Sequence, residues 1–370
     1  MEQFSLNDPA LKPLAEKVRA NERLSFEDGM TLLESPDLFG VAQLANYRRE
    51  ELNGKNTYFI QNAHLNPTNI CENTCRFCAF KSKEGEEDAY RMSISDVLEK
   101  AEEQYYEEMQ EFHIVGGLDP RCDLDYYEEL FHKLKEKFPE VHIKALTAVE
   151  VDFLAKKTGL SLEKTLQRLI NKGLGSLPGG GAEILDDEVR KKICPDKISG
   201  DRWLEVMGAA HFVGLKTNAT MLYGHMEKNE HRVSHFIKLR EQQDASGGFQ
   251  AFIPLAFHPI NTEIEGLSNT SASLDLRIIS VARLMLDNFP HVKAYWTMIS
   301  LPMAQLSQFY GADDIDGTIQ EERITHAAGA ETPMAVGKNT LKRLIKEAGY
   351  TPVERDTIYN PLTTKPAETH

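Results

Sequence analysis

From about residue 55 onward the chain alternates short apolar runs with amphipathic stretches. The runs are TYFIQNAHL, EFHIVGG, VHIKALT, LGSLPGG, KTNATMLYG, GFQAFIPLAF, VKAYWTM and, most weakly, DDIDGTI. Their length and their β-branched and aromatic content predict strands. Between them, ISDVLEKAEEQYYEEM, DYYEELFHKLKEKF, SLEKTLQRLINKG, DRWLEVMGAAHFVG and LDLRIISVARLMLDNF repeat apolar residues with a helical period. A strand and then a helix, at roughly 30 to 40 residues a unit, predict a parallel sheet covered by helices. Eight such strands fit an α/β fold of the (β/α)8 TIM-barrel type, whose site is built at the carboxyl ends of the strands. Polar and glycine-rich punctuation falls at those ends, in NPTNIC, GGLDP, PGGGAE, YGHMEKNEH and FHPINTE. A doubly wound sheet is disfavoured, because no G-x-G-x-x-G turn follows the first strand. The expected organisation is a helical N-terminal extension over 1–55, the barrel over 56–331, and a C-terminal helix and tail over 332–370.

Composition narrows the class. The balance of 42 basic and 57 acidic residues gives a net charge of −15, spread through segments such as EEDAY and EEQYYEEMQEF. That argues against a nucleic-acid surface, which needs clustered Lys and Arg. No apolar run approaches the ~20 residues of a membrane span. The start, MEQFSLNDPALKPLAEKVRANERLSFEDG, places charges where a signal peptide needs an apolar core, so a cytoplasmic location is expected. The 5 cysteines then read as free thiols or metal ligands rather than disulfides.

Cys71, Cys75 and Cys78 fall in CENTCRFCAF, a C-x3-C-x2-C spacing just after the first predicted strand. Thiolates serve both zinc and iron–sulfur clusters. A zinc site needs a fourth ligand, and no C-x2-C or H-x3-5-H partner follows at finger spacing, although a distant His could complete a zinc-stabilised binding protein without catalysis. A [4Fe–4S] cluster held by three thiolates keeps one iron open for a small molecule. A second feature is HIVGGLDP, where the adjacent Gly116 and Gly117 let a ligand approach the backbone closely.

The spacing, with Phe77 before the third cysteine, resembles the signature of radical S-adenosylmethionine enzymes. That resemblance implies that the methionine part of S-adenosylmethionine chelates the open iron, and that the reduced cluster cleaves the sulfonium to a 5′-deoxyadenosyl radical. It also implies that the Gly116–Gly117 turn holds the methionine amino group. In SLPGGGAEILDDEVRKK, a helix starting near Ala182 would put Glu183 and Arg190 on one face, for the ribose hydroxyls and the carboxylate of the cofactor.

NPTNICENTCRFCAF, EEDAYRMS, HIVGGLDP, PGGGAEI, TMLYGH and DGTIQEERITHAAGA together resemble the aminofutalosine synthase family of menaquinone biosynthesis, over about residues 55 to 331. The resemblance implies a C–C bond-forming transferase that adds the 5′-deoxyadenosyl radical to 3-[(1-carboxyvinyl)oxy]benzoate, with rearrangement and loss of the carboxyl group. It implies S-adenosylmethionine as a consumed co-substrate and an electron donor such as flavodoxin or ferredoxin. The pathway relative that cyclises dehypoxanthine futalosine shares the cysteine loop, PGGGAEI and YGH. One departure is Asp119, where the family often has His; a carboxylate cannot donate as an imidazole can. For the reaction and its dianionic aromatic substrate the candidates are Thr220 and His225 as catalytic groups, and Tyr223, His258, Arg277 and Arg283 as binding groups. The two arginines stand six apart on one predicted helix and so face different ways.

Overall fold

The computed structural model describes residues 4–362. Its strands are β1 (Asn56–Ile60), β2 (Asn62–Leu65), β3 (Glu111–Ile114), β4 (His142–Ala145), β5 (Leu174–Leu177), β6 (Lys216–Tyr223), β7 (Phe249–Ala256), β8 (His291–Val292), β9 (Asp314–Gly317) and β10 (Thr351–Glu354). Strands β2 to β8 form one parallel sheet in chain order. β1 and β2 are a single run broken at Gln61, and β1 pairs with β9 and β10 instead. β9 reaches back to β8 through the Lys293 to Asp314 bridge and to the first strand at Gly317 opposite Ile60. The predicted eight-stranded parallel barrel therefore closes, with its thinnest seam between β8 and β9.

Capping fixes where the covering helices begin. Ser93 and Thr147 each form a reciprocal capping box, with Asp96 and Glu150 respectively, and start Ile94–Gln104 and Ala148–Thr158. Alternate strand positions are buried away from the cavity: Phe112 and Ile114 on β3, and Ala219, Met221 and Tyr223 on β6. Among the described residues no helix is long and apolar enough to cross a membrane.

The N-terminal stretch forms three helices, Leu11–Arg19, Phe26–Glu34 and Leu38–Asn53. Fully buried Arg49 pins the third by donating to the carbonyls of Gly54 and Asn56, each at 2.6 Å. Two expectations need correction. VKAYWTM is a strand only at its start, because Trp296–Ile299 turns helical. The tail is not purely helical: after Lys338–Glu347 it adds β10, four residues too short to show a period.

The tail is locked onto the closure point. Arg355, just after β10, donates from its amide to the Phe59 carbonyl at 3.0 Å and from Nε to Asp314 Oδ2 at 2.7 Å, and both of these side chains are fully buried. Replacing Arg355 with Met leaves the Asp314 carboxylate buried without its cation. The expected loss is about 3–5 kcal/mol of stability, read as a lower midpoint in denaturant unfolding.

Candidate active site

A cavity of about 320 Å³ lies among the loops at the carboxyl ends of the strands. Cys71, Cys75, Cys78 and Phe77 share its wall with Gly116, Gly117 and Glu183, so the fold brings together three motifs far apart in sequence. All three thiols are free. Among the described residues no three His, Cys, Asp or Glu side chains are grouped to hold a single metal ion. The donor set on this wall is three thiols, the chemistry that holds an iron–sulfur cluster.

The cysteine loop is irregular and is held from outside. Cys71 N donates to Ser82 O at 3.0 Å, Glu72 N to Leu118 O at 3.0 Å, and Arg76 N to Ile193 O at 2.8 Å. Leu118 N points at the Cys71 sulfur, 3.4 Å away. Asp119 secures both flanks of the loop: it accepts two 2.6 Å bonds from Arg91 and a 3.0 Å bond from the Thr68 hydroxyl. Burial alone would raise the Asp119 carboxyl, but donors on Arg91, the Arg121 amide and Thr68 outweigh it and hold it below the usual aspartate value. Asp119 thus anchors the loops outside the cavity, a task that needs an acceptor and not an imidazole donor.

Gly117 is required by closeness. A Cβ there would sit 2.1 Å from the Ile70 carbonyl oxygen, and one on Gly116 would sit 3.0 Å from Thr68 O. Below them lies Glu150, which the sequence did not single out. Its Oε1 accepts from Gly116 N at 3.1 Å and its Oε2 from Thr147 N at 2.6 Å. Burial outweighs those bonds and pushes its pKa up to about 7. The T-x-x-E capping box was the sequence signal that could have found it.

The Glu183 expectation is half corrected. The residue faces the cavity, but at φ +48° it belongs to a loop, and the helix starts only at Asp187. Arg190 therefore does not share a helix face with it. Its buried guanidinium donates to the carbonyls of Ala182, Ile184 and Ile198 at 2.5, 3.2 and 2.5 Å, shaping the turn that presents Glu183. The cation beside Glu183 is Lys197, 2.7 Å away, and its ammonium lies 5.0 Å from the Phe77 ring centre.

Thr220 and His258 also line the cavity. The Thr220 hydroxyl donates to Gly179 O at 2.7 Å, and His258 Nε2 lies 3.0 Å from Met298 O. Four other candidates point elsewhere. Tyr223 faces outward on β6 and donates to Asp275 at 2.8 Å. His225 is buried, with Nε2 at 3.0 Å from Leu222 O and Nδ1 accepting from Met226 N at 2.7 Å. Arg277 donates to Leu32 O at 3.0 Å, and Arg283 to Gly311 O at 3.0 Å and to Asp313, both on the outer helical layer. The polar interior comes instead from alternate strand positions. Lys144 pairs with Glu111 at 2.7 Å, Lys293 with Asp316 at 2.5 Å, and the rings of His64 and His113 lie 4.6 Å apart. Burial pushes both imidazoles below their usual pKa, so they are neutral near pH 7.

Two outcomes follow from this geometry. Gly117→Ala forces Ile70 and the cysteine loop to move, with an expected cost of about 1–3 kcal/mol and reduced iron per chain after anaerobic reconstitution. For Glu150, a folded pKa of about 7 exceeds the unfolded value. The folded state then binds the extra proton, so this contribution is complete below the unfolded glutamate pKa and is lost as pH rises through about 7. Relative to Glu150→Gln, the wild-type protein should lose about 3 kcal/mol of unfolding free energy between pH 4 and 8, measured by urea titration across that range.

Comparison with known proteins agrees with this layout. Residues 65–239 match the model of the radical SAM superfamily and residues 246–368 that of the CofH/MqnC C-terminal region. The chain is 45% identical over 361 residues to an aminodeoxyfutalosine synthase of Thermus thermophilus, covering 96% of this chain and 97% of that protein. It is 37% identical to a 5-amino-6-(D-ribitylamino)uracil–L-tyrosine 4-hydroxyphenyl transferase of Methanococcoides burtonii, covering 91% and 95%. Its fold superimposes on a methylornithine synthase crystal structure with a TM-score of 0.73 at 20% identity, over 92% of this chain and 97% of that one. The chain belongs to the radical S-adenosylmethionine superfamily, in the branch that joins that domain to the CofH/MqnC C-terminal region.

Proposed function

We propose that this enzyme is an aminofutalosine synthase, joining the 5′-deoxyadenosyl group of S-adenosylmethionine to 3-[(1-carboxyvinyl)oxy]benzoate, with rearrangement and loss of a carboxyl group. The observation that carries the reading is the near full-length likeness to the Thermus aminodeoxyfutalosine synthase, at 45% identity. The cavity supports it, because its volume falls in the range of small-molecule sites. A [4Fe–4S] cluster, when bound, supplies the electron that cleaves the sulfonium.

The chain's own residues hold and orient the reactants. Cys71, Cys75 and Cys78 are the cluster ligands. The Gly116–Gly117 backbone takes the methionine ammonium, and Glu183 takes the ribose hydroxyls. Leu222, Ile253, Leu255 and Phe257 give an apolar side that excludes water from a radical path. Lys144 and Lys293, fixed by Glu111 and Asp316, stand with the neutral His64 and His113 as donors for the carboxylates of the benzoate. Thr220 and His258 orient the substrate from the wall. A low-potential one-electron donor such as flavodoxin or ferredoxin supplies the electron.

The test offers three substrate sets to the reduced, reconstituted enzyme with S-adenosylmethionine. Aminofutalosine and methionine should appear, by mass spectrometry, only with the enolpyruvyl benzoate. Cyclisation of dehypoxanthine futalosine, or coupling of tyrosine to the ribitylamino uracil, with no product from the benzoate, would overturn the reading.

A further inference from the structure

Five carbonyls of the cysteine loop are bonded by two ammonium groups. Lys83 Nζ lies 2.8 Å from Cys71 O, 3.0 Å from Glu72 O and 3.3 Å from Asn73 O. Lys81 Nζ lies 2.9 Å from Cys75 O and 3.4 Å from Cys78 O. Each of the three cysteines therefore has a lysine on its own carbonyl. An ammonium has three donors. Lys83 directs all three at the loop, whereas Lys81 shares its charge with Glu263 at 2.7 Å.

Shape alone does not call for this chemistry. Neutral amides hold the rest of the loop, as the Ser82, Leu118 and Ile193 contacts do. What lysine adds is a fixed positive charge at the backbone of all three thiol residues, in a site where both ammonium groups are partly shielded from water. Reduction adds one negative charge to whatever the thiolates hold, and a nearby fixed cation favours the more negative form.

We propose that Lys83, seconded by Lys81, is a positioning residue that both shapes the thiol loop and raises the reduction potential of the cluster bound there. The inference rests on membership of the superfamily and not on the identity of the benzoate. Its readout involves neither that substrate nor its product, so either reading can fail alone.

The experiment is a redox titration of the anaerobically reconstituted full chain, without S-adenosylmethionine, followed by electron paramagnetic resonance and iron analysis. Lys83→Met and Lys83→Gln should keep four irons and shift the midpoint to a more negative potential. At fixed poise the reduced-to-oxidised ratio should fall about tenfold, ~59 mV for one electron. Lys83→Arg, which keeps the charge, should stay near wild type, and Lys81→Met should shift less than Lys83→Met. Full iron with a wild-type midpoint in both neutral Lys83 variants overturns the proposal. Should Lys83→Met lose its iron, the Gln and Arg variants decide. A more negative midpoint in Gln than in Arg supports it, and equal midpoints, or loss of iron in either, overturn it.

Discussion

The loop that holds three thiols on one wall is neither helix nor strand, so its backbone groups have to be satisfied by neighbours. Everything near the cavity mouth follows from that constraint. Cys71, Glu72 and Arg76 donate to the carbonyls of Ser82, Leu118 and the helix-end residue Ile193, and two lysines bond five of the loop's own carbonyls. Asp119 then ties Thr68, before the loop, to Arg91, after it. Because Gly117 packs directly under the Ile70 carbonyl, the glycine turn and the start of the cysteine loop are in backbone contact with no room for a side chain between them.

This arrangement explains which parts of the site could be read from the sequence. The cysteines and the Gly116–Gly117 pair were legible as parts of one cavity because local spacing and missing side chains mark them, whereas Glu183 reaches the same cavity from a loop and not from the helix expected of it. Arg190, His225, Tyr223, Arg277 and Arg283 were misplaced for a different reason. Each is polar and near a strand end or on a helix, but position on the strand or helix decides the direction of a side chain. On β6, period-two alternation turns Asn218, Thr220 and Leu222 inward and Tyr223 outward. Arg277 and Arg283 lie on the outer helix Ala272–Met285, where their guanidinium groups meet backbone carbonyls of the N-terminal helices and the β9 approach.

The interior charges were missed by the mirror image of the same argument. On β3 Phe112 and Ile114 are buried under the helices, while Glu111 and His113 line the cavity. EFHIV carried that signal, with Glu111 and His113 between Phe112 and Ile114, but the helical cover had to be known before the face could be assigned. The fold itself was more legible than the site, since eight apolar runs and their spacing suffice for a parallel barrel. The strand after Gly349 escaped because four residues paired only at the barrel's foot leave no periodic trace.

The two halves of the cavity are consequently built on different terms. The thiol wall is fixed by backbone contacts, in which a single added methyl group at Gly117 would collide with a carbonyl. The floor is made of side-chain pairs, Lys144 with Glu111 and Lys293 with Asp316, each a buried charge balanced by one partner. A buried pair can be exchanged for another pair, or for apolar residues of like volume, without moving the backbone. Glu150 stands at the join: it caps the helix after β4, takes the Gly116 amide and faces the cavity. A change of substrate is therefore open to the floor, provided that Glu150 and the glycine turn above it stay in place.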